Sequence, residues 1–131
     1  MPDSSSARRG ALAKKLEAEH IDALVLTSLP NIRYLTGFSG TSALAVASAS
    51  GIRLITDFRY ETQVAEEVGD RAEIRIESVS LWTGLWAILR DMGSVEVVGF
   101  ESANLVHRDF QRLLTDGSRW QWSKKLNIVE S

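Results

Sequence analysis

Asp22-Ala23-Leu24-Val25-Leu26-Thr27 sets the frame for the whole chain. Its apolar run is too short for a helix and does not alternate. That is the pattern of a strand buried on both faces, in the middle of a sheet covered by helices. Upstream, residues 7–19 read as a helix, with Leu12 and Leu16 on one face and Arg8, Lys14, Lys15 and Glu17 on the others. Ser5 or Ser6 suits its N-cap, and the basic pairs Arg8-Arg9 and Lys14-Lys15 read as its solvated side. Downstream, Ser28-Leu29-Pro30-Asn31 is turn chemistry leading into a short helix at residues 32–35 that Gly37 ends.

The pattern continues in the same style. Residues 44–47 and 52–56 read as strands of a hairpin turned at Ser48-Ala49-Ser50-Gly51. Tyr60 to Val68 is helical, with Val64 and Val68 inward and Glu61, Glu66 and Glu67 facing water, and Gly69 stops it. Glu73-Ile74-Arg75-Ile76-Glu77 alternates strictly, a strand with one solvated face. A helix over 81–92 places Trp82 and Trp86 one turn apart beside Leu85 and Leu89, and a strand follows at 95–100. A helix over 106–115 carries Phe110, Leu113 and Leu114 inward, and a last short strand carries Trp120 and Trp122. Helices between strands imply parallel neighbours, and the hairpin is antiparallel. The fold class is therefore α/β, a mixed β-sheet flanked by helices.

Composition narrows the function. The chain has 131 residues, 44% hydrophobic and 24% charged, enough for a single domain over residues 1–131. A net charge of −2 argues against a nucleic-acid partner. No apolar run approaches the ~18 residues of a membrane span, and no secretory leader is legible. With no cysteine, the chain suits a reducing cytoplasm and can build neither a disulfide scaffold nor a thiolate site. Its two histidines, His20 and His107, have no partner at metal-ligand spacing, so no metal site is expected within it.

No catalytic set is expected either. The serines include no nucleophile elbow. Gly37-Phe38-Ser39-Gly40-Thr41-Ser42 lacks the lysine of a phosphate loop, and a strand follows it where a helix should. Two segments stand out instead, Asn31-Ile32-Arg33-Tyr34 and Thr56-Asp57-Phe58-Arg59-Tyr60, each ending in an Arg-Tyr pair. Asp57 or Thr56 suits helix capping. The arginines offer a planar fork for carboxylates, and the tyrosines an aromatic face with a polar tip. Either pair suits a carboxylate-bearing ligand, a protein partner or a surface ion pair. Of the four tryptophans, Trp86 reads as core, and Trp82, Trp120 and Trp122 as a surface for another domain or subunit.

Ile21–Leu26, Asn31-Ile32-Arg33-Tyr34-Leu35-Thr36-Gly37-Phe38-Ser39-Gly40, Leu54–Gln63 and Val98-Gly99-Phe100-Glu101 occur in this order. Together they resemble the N-terminal domain of the creatinase/prolidase/Xaa-Pro aminopeptidase family over roughly residues 8–130. The resemblance implies a ribonuclease H-like sheet in a domain that is not itself catalytic. A C-terminal pita-bread domain, absent from this chain, would hold two divalent metal ions (manganese, cobalt or zinc) that generate the hydroxide attacking an Xaa-Pro bond. The isolated domain is then inactive and its parent a cytoplasmic hydrolase.

By the same resemblance the partners are that catalytic domain, a second subunit in a homodimer, and a proline-containing peptide. Asn31, Arg33, Tyr34 and Phe38 become cleft-lining candidates. Asp57, Arg59 and Tyr60 become residues that hold the fold or the dimer. Two alternatives remain open: a stand-alone module binding a peptide or carboxylate, and the N-terminal domain of a creatinase-like amidinohydrolase.

Overall fold

The computed structural model describes residues 4–101, 107–117 and 120–126, with the side chains at 4, 5, 107–110 and 121–126 excepted. In chain order the elements are α1 (Ser4–Ala18), β1 (Ala23–Leu26), α2 (Leu29–Thr36), β2 (Ala43–Ser48), β3 (Gly51–Asp57), a 3-10 turn (Phe58–Tyr60), α3 (Glu61–Val68), β4 (Glu73–Glu77), α4 (Leu81–Asp91), β5 (Val97–Glu101), α5 (His107–Asp116) and β6 (Gln121–Leu126). The strands form one six-stranded sheet in the order β4-β3-β2-β1-β5-β6. β2 runs antiparallel to both of its neighbours, and the remaining pairs are parallel. The expected mixed sheet is present, and β1 lies inside it.

Each face of the sheet has its own core. Leu24 and Leu26 of β1 meet Leu12 and Leu16 of α1, Ile32 and Leu35 of α2, and Val64 and Val68 of α3. Ala23 and Val25 point the other way, onto Leu85, Ile88 and Leu89 of α4 and Leu113 of α5. One strand thus serves two hydrophobic layers, which is why none of its four residues is polar. Each fully buried Leu, Ile or Val contributes about 1.5–3 kcal/mol.

Several local expectations need correcting. Arg8 and Arg9 are not simply solvated. Their guanidinium groups donate to the carbonyls of Tyr34 (2.9 Å) and Leu35 (3.0 Å), at the end of α2 where carbonyls lack helical partners. α2 starts at Leu29, earlier than the apolar pattern suggests, because Ser28 caps it and Pro30 fits its first turn. Trp120 is 8% exposed and belongs to this domain's own second core, stacked on the half-buried Trp86 at 5.7 Å. Trp82 tilts against Trp86 at 5.7 Å, with the Arg112 guanidinium over its ring. Leu114 is exposed, and only Leu113 of that pair turns inward. The side chains of His107, Phe110 and Trp122 and the tail after Leu126 lie outside the described residues.

Candidate functional site

Because β2 is reversed, the sheet brings the C-terminal ends of β1, β3, β4 and β5 and the start of β2 to one edge. Both conspicuous segments sit there. In open α/β sheets this is where ligands are usually met.

The first segment is built on α2. Beneath its N-terminus lies the carboxylate of Glu101, 2% exposed at the end of β5. It accepts hydrogen bonds from the backbone N–H of Thr27, the backbone N–H of Ser28 (2.8 Å) and the side-chain amide of Asn31. A buried carboxylate needs such donors, and free N–H groups at a helix start supply them. Asn31 is thereby turned inward, as an anchor of α2. The helix ends at Gly37, whose φ of 86° is a left-handed cap that a side chain would strain. Thr36 is buried, donates from Oγ1 to the Ile32 carbonyl (2.7 Å) and accepts from the N–H of Phe38.

Phe38 is 1% exposed, so it is a core residue and not an open wall. Its ring packs edge-on against Tyr60 at 5.6 Å. A Cβ at Gly40 would sit 2.2 Å from Phe38 Cζ, so only glycine lets the loop fold over this ring. Arg33 and Tyr34 remain exposed on α2. The Arg8 guanidinium lies 4.1 Å from the centre of the Tyr34 ring.

The second segment is locked to itself and to the loop above it. Asp57 caps the 3-10 turn by accepting from Arg59 N–H (3.0 Å). It also takes a two-pronged contact from the Arg59 guanidinium, at 2.9 and 2.8 Å. The hydrogen bond from Arg59 holds the Asp57 carboxyl at about 2, below the ordinary carboxylate range, and the same contact raises Arg59. The Tyr60 hydroxyl meets the Thr41 hydroxyl and accepts from Thr41 N–H at 3.3 Å. Those bonds lower the Tyr60 phenol. Phe58, between them, is 64% exposed.

Three contributors are not legible in the sequence. Glu101 belongs to a motif there but has no evident partner, and Thr41 is only a loop residue. Glu67, expected to face water, is half-buried and accepts from Ser39 N–H (2.9 Å), Ser39 Oγ (2.6 Å) and the Gln63 amide (3.2 Å). The Ser39 hydroxyl is the main reason that Glu67 is lowered. The i, i+4 spacing of Gln63 and Glu67 below an unpaired Gly-Ser loop is the available signal. All seven candidates therefore gather at one edge, where Asn31, Phe38, Asp57 and Tyr60 act within the fold. Arg33, Tyr34 and Phe58 form the outward surface, and Arg59 beside them is bound to Asp57.

Three shallow hollows of about 290, 310 and 250 Å³ lie at the opposite end of the strands and share Arg53. Their walls mix arginines with carboxylates such as Glu73 and Asp91, with no single ligand charge favoured. Among the described residues no group of three or more His, Asp or Glu side chains is placed to hold a metal ion. Asp57 and Glu101 are already committed to an arginine and to backbone donors. The described residues do not fit a metal pair. None of the helices described is long and apolar enough to cross a membrane.

This fold is that of a known class. The family model for the creatinase/prolidase N-terminal domain matches residues 8–124, and the chain belongs to that family. It is 48% identical over 48 residues to the uncharacterized peptidase YqhT of Bacillus subtilis (strain 168), a match covering 37% of this chain and 14% of that protein. The N-terminal domain of the cytoplasmic peptidase PepQ from Mycobacterium tuberculosis H37Rv superposes with a TM-score of 0.82 at 31% identity, over 94% of this chain and 95% of that one. A Xaa-Pro dipeptidase from Bacillus anthracis shares the fold with a TM-score of 0.83 at 22% identity. There the match covers 97% of this chain but only 35% of the dipeptidase. The chain thus spans about a third of that enzyme.

Proposed function

We propose that this chain is the noncatalytic leading domain of a cytoplasmic, metal-dependent Xaa-Pro peptidase of the prolidase or aminopeptidase P type. In that role it walls the substrate cleft and associates subunits into a homodimer. The observation that carries the reading is the interlocked edge. Phe38, Gly40, Thr41 and Tyr60 fix two loops against each other, and Arg33, Tyr34 and Phe58 are held outward on that rigid base. A wall that positions a peptide needs such a base more than it needs a pocket of its own. The Arg33 fork suits a peptide carboxylate, and the Tyr34 ring suits a proline or an apolar side chain. Bond cleavage falls to a C-terminal domain, whose two divalent ions (manganese, cobalt or zinc) would supply the attacking hydroxide.

The test uses the full-length polypeptide and this chain side by side. Arg33→Ala in the full-length enzyme is expected to raise KM for Xaa-Pro peptides about tenfold with little change in kcat, the loss of one charge-assisted contact. The 131-residue chain alone, with Mn²⁺, is expected to hydrolyse none of them. Hydrolysis by the isolated chain overturns the noncatalytic assignment, and an unchanged KM overturns the cleft wall. A native polypeptide of only 14.5 kDa would favour the stand-alone binding module instead.

A further inference from the structure

The two lateral edges of the sheet differ. At one end β6 pairs with β5 through a register irregularity between Val98 and Phe100. Such bulges discourage further pairing. At the other end β4 pairs with β3 through five consecutive positions without interruption, and its outer side lies at the limit of the sheet. β4 contains no proline, and its charges alternate in sign instead of repelling a second strand. Ala72, Ile74 and Ile76 are only partly buried against the first core, so apolar surface remains along this edge.

We propose that the outer edge of β4 is a pairing surface for a second copy of this chain, joined antiparallel about Ile74. The proposal deepens the subunit-association part of the reading above and rests on it. Antiparallel pairing about Ile74 sets Glu73 opposite Arg75 on either side of the two-fold axis, Ile74 opposite itself, and Ile76 opposite Ala72. One face of the joint is ionic and the other apolar. Glu77 falls opposite Arg71, whose own guanidinium donates to the Glu67 carbonyl at 2.9 Å.

Other registers are worse. Pairing about Arg75 sets Arg75 against itself and Glu73 against Glu77, like charge on like charge. Pairing about Ile76 sets Arg75 against Glu77, whose side chain is only 13% exposed, whereas pairing about Ile74 sets the same Arg75, 41% exposed and bonded within its own strand to Glu77 at 2.7 Å, against a more open carboxylate. The Glu73 side chain is 77% exposed, with Arg53 at 3.5 Å on its inner side, so it can take a second arginine from outside. The charge pattern thus suits a second copy of the strand, and the exposure of Glu73 favours the register about Ile74.

Charge swaps test this by sedimentation equilibrium of the whole chain. Wild type is expected to dimerise. Glu73→Arg and Arg75→Glu each set like charges opposite one another and are expected to weaken association at least about tenfold. The double variant Glu73→Arg/Arg75→Glu restores every opposite pair and is expected to regain it. An equimolar mixture of the two single variants is expected to form a heterodimer. That last result cannot arise from altered folding, since each chain still carries its own substitution. Wild-type dimers that persist unchanged in both single variants overturn the β4 surface and leave the homodimer reading standing. A monomeric wild-type chain overturns the β4 surface as well. The full-length protein, measured alongside, then decides the dimer reading separately.

Discussion

Arg33-Tyr34 and Arg59-Tyr60 are the same dipeptide at the same end of the sheet, yet the fold uses them in opposite ways. Arg59 is bound in a fork to Asp57, and Tyr60 is tied to Thr41 and packed on Phe38. Arg33 and Tyr34 are exposed on a helix whose own anchoring is done by Glu101 and Asn31 beneath it and by Arg8 and Arg9 at its end. A residue pair has no fixed role, and what lies under it decides. Where the neighbouring loop needs partners, the pair is spent on the fold. Where other residues satisfy the backbone, it is left exposed. Substitutions in the two regions should differ accordingly in the size of their effects.

The largest effect is expected where the two regions meet. Phe38→Ala removes the ring that Gly40 folds over and Tyr60 packs against, and should cost about 3–5 kcal/mol in urea denaturation. Retention of wild-type stability would mean that the two loops do not depend on each other. Next comes the anchor of the outward pair. Glu101→Ala strands the N–H groups of Thr27 and Ser28 and the Asn31 amide in a buried place. About 3 kcal/mol is expected, with Glu101→Gln milder because it keeps the acceptor oxygen. Equal losses for the two would show that charge, and not acceptor geometry, holds α2.

A smaller, pH-dependent effect belongs to the locked pair. The folded Asp57 carboxyl stands at about 2 against 3.8 for an unperturbed aspartate. Between those values the unfolded chain binds the proton more readily, so stability rises with pH there. The contribution is complete above about pH 4 and is lost as pH falls toward 2. Asp57→Asn should therefore lower stability above pH 4 and flatten the acid limb between 4 and 2, the difference shrinking in high salt because the pair faces water. Parallel acid limbs for wild type and the Asp57→Asn variant would show that Arg59 does not hold Asp57 in solution. Glu67 shifts in the same direction through Ser39, so some acid sensitivity should persist in the variant.

Much of the fold was legible because its elements follow simple periods. β1 is apolar at every position since it serves two cores, whereas β4 alternates in sequence but not in burial, its Glu77 side chain being only 13% exposed. The candidate site was legible as a list of residues but not as a division of labour. Asn31 looks the same in sequence whether it meets substrate or Glu101, and its partner lies 70 residues away. Glu67 fits a solvated helix face until Ser39, 28 residues back, comes down onto it. Arg8 and Arg9 become caps only once α1 lies across the end of α2. Local pattern fixes which elements form. Long-range hydrogen bonds fix which polar side chains remain available, and no local period encodes them.

The smallest stability effect is the sharpest test of the comparison. Arg33→Ala should change unfolding free energy by no more than about 0.5 kcal/mol, as for an exposed side chain away from caps and cores. Arg33 does lie close enough to Glu67 to lower its carboxyl slightly, but the Ser39 contacts dominate there. Arg59→Ala, by contrast, removes the fork that holds Asp57 and should reproduce the flattened acid limb of Asp57→Asn. If Arg33→Ala destabilises the chain as much as Arg59→Ala does, both pairs serve the fold, and the outward surface loses its claim to peptide binding. If Arg33→Ala leaves stability untouched and raises KM in the full-length enzyme, the two identical dipeptides have been separated into support and contact by measurement. The cause of that separation is then what lies beneath each of them: a loop hydroxyl and a buried phenylalanine under one, and a buried carboxylate satisfied by backbone under the other.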